Sequence, residues 1–68
     1  MKATFLNDVV VDILTADEEI DQKFYRRGDT VDVASESPSR TGSAFTSLNL
    51  TNGVLLFDIR KSNVTIVE

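Results

Sequence analysis

Sixty-eight residues make one domain, spanning 1–68, and leave no room for a second, because a chain this short buries only about 60% of the surface it exposes when unfolded. With no cysteine and no histidine, disulfide staples, thiolate nucleophiles and the usual zinc, haem and iron–sulfur ligand sets are excluded. The net charge of −4 is unevenly placed: residues 1–21 hold Asp8, Asp12, Asp17, Glu18, Glu19 and Asp21 against Lys2 alone, whereas the remainder holds more bases than acids.

From the amino terminus, Thr4–Leu14 is rich in β-branched residues and alternates with period two. It reads as a first strand with Val9, Val11 and Ile13 on one face and Asp8, Asp12 and Leu14 on the other. Asn7, Asp8 and Asp12 interrupt the apolar run that a secretory signal needs, and no stretch approaches the ~20 apolar residues of a membrane span, so a cytoplasmic protein is expected.

Residues 15–27 admit two readings. In one they form a helix at about 16–27 packed on the sheet: Thr15 and Glu18 have capping-box spacing, acids crowd the first turn, bases occupy the last and Gly28 stands ready to cap it. In the other, the acidic segment is a long loop or irregular hairpin, and Lys23-Phe24-Tyr25-Arg26-Arg27 is a strand entering a turn at Gly28. The apolar face of that helix would comprise only Ala16, Ile20 and Phe24, which is thin support for twelve residues. The loop-and-strand reading is preferred.

A clean strand follows at Thr30–Ala34, with Val31 and Val33 inward. Ser35–Ser43 holds four serines, the only proline and a glycine, and reads as a mobile surface loop. Ala44–Leu50 is a third strand with Leu48 and Leu50 inward. Thr51-Asn52-Gly53 supplies a hairpin turn, and Val54–Ile59 returns as the fourth. After the polar break Arg60-Lys61-Ser62-Asn63, Val64–Val67 makes the fifth.

This order of elements resembles an SH3-like small β-barrel. Arg26-Arg27-Gly28-Asp29-Thr30-Val31-Asp32-Val33 is similar to the divergent-turn segment of that fold, and Arg60–Val64 falls where its short helical turn would lie. The resemblance implies a mainly β, five-stranded barrel with a long acidic loop. Polyproline recognition, which that fold often serves, needs an aromatic-lined groove. Here there is no tryptophan, and Val64 stands where a groove tyrosine would fall. The stretch Phe24–Val33 is also similar to small uncharacterised accessory proteins of tailed bacteriophages, which implies a viral protein in the host cytoplasm that engages a host factor.

The chemistry available is that of binding. The serines of 35–43 have no histidine to act as base, and the three glycines are too scattered to cradle a phosphate, so no enzyme and no cofactor are expected. The carboxylates lack the alternating spacing and central glycine of a calcium loop, so no metal is expected either. Lys23–Arg27 interleaves rings with bases as single-strand binders do. Six neighbouring carboxylates, many within a Debye length of ~8 Å, argue against nucleic acid beyond a weak association. The expected role is a non-enzymatic protein-binding module that docks Asp12, Asp17, Glu18, Glu19, Asp21 and Tyr25 on the basic surface of a protein partner. The alternative is a structural, self-assembling protein, a homo-oligomer joined through a strand edge or through the doubly apolar run Val54-Leu55-Leu56-Phe57.

Overall fold

A computed structural model describes residues 1–68. The chain is mainly β and contains no α-helix: seven strands, β1 (Lys2–Phe5), β2 (Val9–Leu14), β3 (Ile20–Tyr25), β4 (Thr30–Pro38), β5 (Phe45–Leu50), β6 (Leu55–Arg60) and β7 (Val64–Val67), with one 3₁₀ turn at Lys61–Asn63. They form a single antiparallel sheet in the order β3-β2-β6-β5-β4-β1-β7. Seven strands spaced ~4.8 Å apart would make a wide, thin slab if flat. The extents of 27 × 23 × 22 Å therefore require the sheet to curl around its own core. Its end strands, β3 and β7, do not pair with each other, so the curled sheet stays open and is not the closed barrel expected.

Seven strands form where five were counted. The first predicted strand divides at Leu6–Asp8, where backbone and side chains turn to other partners: Leu6 N–H donates to the Asn63 carbonyl at 2.8 Å, Asn7 Nδ2 to Asn63 Oδ1 at 3.0 Å, and Asp8 Oδ1 accepts from Arg27 N–H at 2.8 Å. β1 then pairs with β4 and β7, while β2 pairs with β3 and β6. The other addition is β3, which occupies the segment read either as a helix or as a long acidic loop entering a strand. No helix forms over 16–27, and the acidic loop is reduced to a tight turn. Ile20 and Phe24, four apart, share a face in a helix and in a strand alike, so their spacing does not discriminate between the two.

The serine-rich segment is also more ordered than its composition suggests. β4 continues through Pro38, paired with β5, and side chains reinforce the ladder: Asn49 Nδ2 donates to Ser35 Oγ and Ser37 Oγ, each at 3.0 Å, and Thr46 Oγ1 donates to Glu36 Oε2 at 2.6 Å. Pro38, last in the strand, has no N–H to leave unpaired. The Asn52-Gly53 hairpin forms as expected, with Gly53 at φ +87 and Leu50 N–H donating to the Val54 carbonyl at 2.8 Å.

The core comprises Ala3, Phe5, Val11, Ile13, Tyr25, Val33, Leu48, Leu50, Leu56, Ile59 and Val64. Leu56 and Ile59 are both buried despite their odd spacing. The β5–β6 register shifts between Thr46 and Leu48, and Asp58 adopts φ +54, so a bulge adds one residue to β6 and returns Ile59 to the inner face.

Candidate functional site

The β2–β3 hairpin carries all six residues singled out for binding. Its turn is closed by Thr15: the Thr15 N–H donates to the Glu19 carbonyl at 2.8 Å, the Thr15 carbonyl accepts from Glu18 N–H at 2.9 Å, and Thr15 Oγ1 accepts from Glu19 N–H at 3.1 Å. The threonine that suggested a helix cap thus closes a hairpin instead. Glu18 takes the left-handed conformation at φ +64, unusual for a residue with a side chain.

This geometry places Asp17, Glu18 and Glu19 together at the exposed tip. Asp12 lies exposed on the outer face of β2, its Oδ1 accepting from Gln22 Nε2 at 3.0 Å. Asp21, on the opposite face of β3, accepts from Gln22 N–H through Oδ1 at 2.7 Å. No three acidic side chains anywhere in the chain converge in a way that could hold a metal ion.

Tyr25 is not with them. The hairpin pairs Val9 with Tyr25 and Val11 with Lys23, so the odd residues of both strands share the inner face. Tyr25 is 5% exposed and stacks on Phe5 with ring centroids 4.3 Å apart and planes 9° from parallel, and Lys23 Nζ lies 5.2 Å from its centroid. Tyr25, expected among the docking residues, is therefore core, and its neighbour Phe24 is the exposed ring, at 52%. The two rings of Lys23–Arg27 face opposite ways and form no common stacking platform.

The residues that sequence reasoning missed are the hairpin's own apolar contacts on the outer face, Val10, Ile20 and Phe24; Leu55 and Phe57 belong to the run already singled out for self-association. Val10 opposite Phe24 and Leu14 opposite Ile20 flank the Asp12–Gln22 pair, and Phe57 and Leu55 of β6 continue the same face beside Asp12 and Leu14. Val10 is 59% and Ile20 82% exposed, while Leu14, Leu55 and Phe57 are half-buried. The signal was available: once Val11 and Ile13 face inward, a tight hairpin turn centred on Asp17 puts the even residues of both strands outward.

Burial first, and the negative charge of Asp29 second, push the Tyr25 phenol above tyrosine's ordinary 10.0. Between the unfolded value and the raised folded one, the native chain keeps a proton that the unfolded chain releases. This contribution to stability is therefore complete below pH ~10 and is lost as pH rises through the folded value. With one tyrosine and no tryptophan, phenolate absorbance reports Tyr25 alone. Ionisation is expected to be delayed and to coincide with alkaline unfolding, and Tyr25→Phe to remove that component of the pH dependence. Phenolate forming at the ordinary pH in a chain that stays folded would contradict the burial.

No family model, curated protein or solved structure matches this chain. No helix is long and apolar enough to cross a membrane.

Proposed function

We propose that the chain is a non-enzymatic protein-binding module, an accessory protein of a tailed bacteriophage that docks its β2–β3 hairpin on a cationic protein surface in the host cytoplasm. The observation that carries this reading is the juxtaposition on one hairpin of the exposed carboxylates Asp17, Glu18 and Glu19 with the exposed apolar side chains Val10, Ile20 and Phe24. Carboxylates steer a basic partner into encounter, and apolar contact then holds it. Tyr25 belongs to the support of this surface and not to the surface itself.

An SH3-like framework is part of the proposal. Three features support it: the 3₁₀ turn Lys61–Asn63 immediately before the last strand, the pairing of β1 with both β4 and β7, and the turn Arg26–Asp29 docked on β1. In that turn Gly28 N–H donates to the Phe5 carbonyl at 2.7 Å, and Asp29 Oδ2 accepts from Arg26 N–H at 2.8 Å. Val64 is buried in the core, which is consistent with a ligand other than polyproline.

The test is capture from a bacterial host lysate by the parent chain and by the double variant Glu18→Lys, Glu19→Lys, at low and physiological salt. The parent is expected to retain one or more proteins whose capture weakens as salt rises, and the variant to retain at least about tenfold less, as removal of steering charge and close pairs allows. Both substitutions lie in an exposed turn, so an unchanged far-UV spectrum should accompany the loss. Equal capture by both chains would end the proposal.

A further inference from the structure

β3 is an open edge of the sheet, and the ladder determines which of its backbone groups face outward. The Thr15 N–H bonds to the Glu19 carbonyl, and bonded and non-bonded pairs alternate along an antiparallel ladder. Ile13–Asp21, Val11–Lys23 and Val9–Tyr25 are then the bonded pairs, so the N–H and C=O groups of Ile20, Gln22 and Phe24 point away from β2. Gln22 N–H agrees with this: its acceptor is the side chain of Asp21, not a β2 carbonyl.

Along that edge, residues 17–27 are complementary to themselves when reversed, except for Glu19, which mirrors the buried Tyr25. About Gln22, Asp21 mirrors Lys23, Ile20 mirrors Phe24, Glu18 mirrors Arg26 and Asp17 mirrors Arg27. We infer that a second copy of this chain adds to this edge, β3 antiparallel to β3 about a two-fold axis through Gln22. Ile20 then faces the second copy's Phe24 on the outer side, and Asp21 faces the second copy's Lys23 on the inner side. The acidic tip of each hairpin lies along the arginines of the other. Three bonded pairs, Ile20–Phe24, Gln22–Gln22 and Phe24–Ile20, supply about six backbone hydrogen bonds at two per pair. Asp21 releases Gln22 N–H and takes the ammonium instead.

The neighbouring registers are disfavoured. A shift by one residue in the pairing sum sets outward-facing backbone groups against inward-facing ones. A shift by two places Asp21 against Asp21 or Lys23 against Lys23, and like charges directly opposite are destabilising. A natural edge strand is ordinarily blunted by charge or twist. Here the charges reject both registers shifted by two.

An edge-to-edge contact of one short strand is at the small end of specific interfaces, so association in the micromolar range is expected. Sedimentation of the purified chain should show a monomer–dimer equilibrium that completes toward the dimer by about 1 mM. Asp21→Lys alone and Lys23→Asp alone should each abolish the dimer, whereas an equimolar mixture of the two should restore it, since each then offers the charge the other lacks. Gln22→Pro should also abolish it while leaving the fold intact, because the N–H it removes faces the edge and not β2. A parent chain that stays monomeric through that range, a mixture that fails to associate while the parent does, or a folded Gln22→Pro that dimerises like the parent would each overturn the inference. If the proline variant fails to fold, the charge-swapped mixture decides. These measurements involve no foreign protein, so their failure and that of docking on a cationic host surface are distinguishable.

Discussion

Replacing Phe5 with alanine is expected to lower the thermal midpoint by on the order of 20 °C. Phe5 is 1% exposed, and its ring stacks on Tyr25 at 4.3 Å. Truncation of a buried phenylalanine costs about 3–5 kcal/mol, and the ring pair contributes ~0.5–1.5 kcal/mol beyond its area. A domain of this size has a total stability of roughly 3–10 kcal/mol, so the variant stands near the point of unfolding at room temperature. The backbone of Phe5, which alanine retains, fixes the ring's position: its N–H donates to the Asp29 carbonyl at 2.9 Å and its carbonyl accepts from Gly28 N–H at 2.7 Å. Phe5 is thus where β1 holds both the turn after β3 and the ring at the foot of the hairpin. A far-UV thermal melt decides the matter, and a midpoint within about 5 °C of the parent would contradict the assignment. Phe5→Leu, which keeps most of the volume, should recover part of the loss.

The strands from β4 onward were legible in the sequence, except for the second half of β4, because each apolar or alternating run is bounded by turn residues. Val31, Val33, Leu48, Leu50 and the Asn52-Gly53 turn all lie where the pattern places them, although Val31 is only half-buried. The failures have separate physical causes. Thr4–Leu14 looked continuous because a change of partners at Asn7 and Asp8 leaves no mark on hydrophobic alternation. The hairpin turn at Thr15–Glu19 was obscured because a side-chain oxygen that caps a helix also closes a turn, and because Glu18 takes a conformation usually left to glycine or asparagine. Ser35–Pro38 looked like a loop because serine is judged by propensity, whereas here Asn49 and Thr46 supply cross-strand partners. At the candidate site the acids were found by composition alone. The apolar half was not, since Phe24 and Tyr25 are neighbours of similar hydrophobicity, and only the hairpin register determines which one is buried.

The same register yields the sharpest contrast in the molecule. Leu56→Ala is expected to cost about 2–5 kcal/mol, because Leu56 is fully buried and the strands around it cannot close the cavity. Ile20→Ser and Phe24→Ser, which also remove large apolar side chains, are expected to cost about 1 kcal/mol or less. Ile20 leaves the solvent hardly at all, and Phe24, opposite Val10 in the register, is half exposed. Denaturant unfolding with a common slope separates the cases by midpoint alone. An apolar side chain that the fold does not need, held on the outer face beside a carboxylate tip, adds to solubility risk without adding to stability. Its presence makes physical sense when another surface covers it. Should Ile20→Ser and Phe24→Ser prove as damaging as Leu56→Ala, those side chains are structural, and the outer face of the hairpin loses its claim as a contact surface. Should they leave the fold intact and weaken association, the residues that the core did not bury are the ones that a partner does.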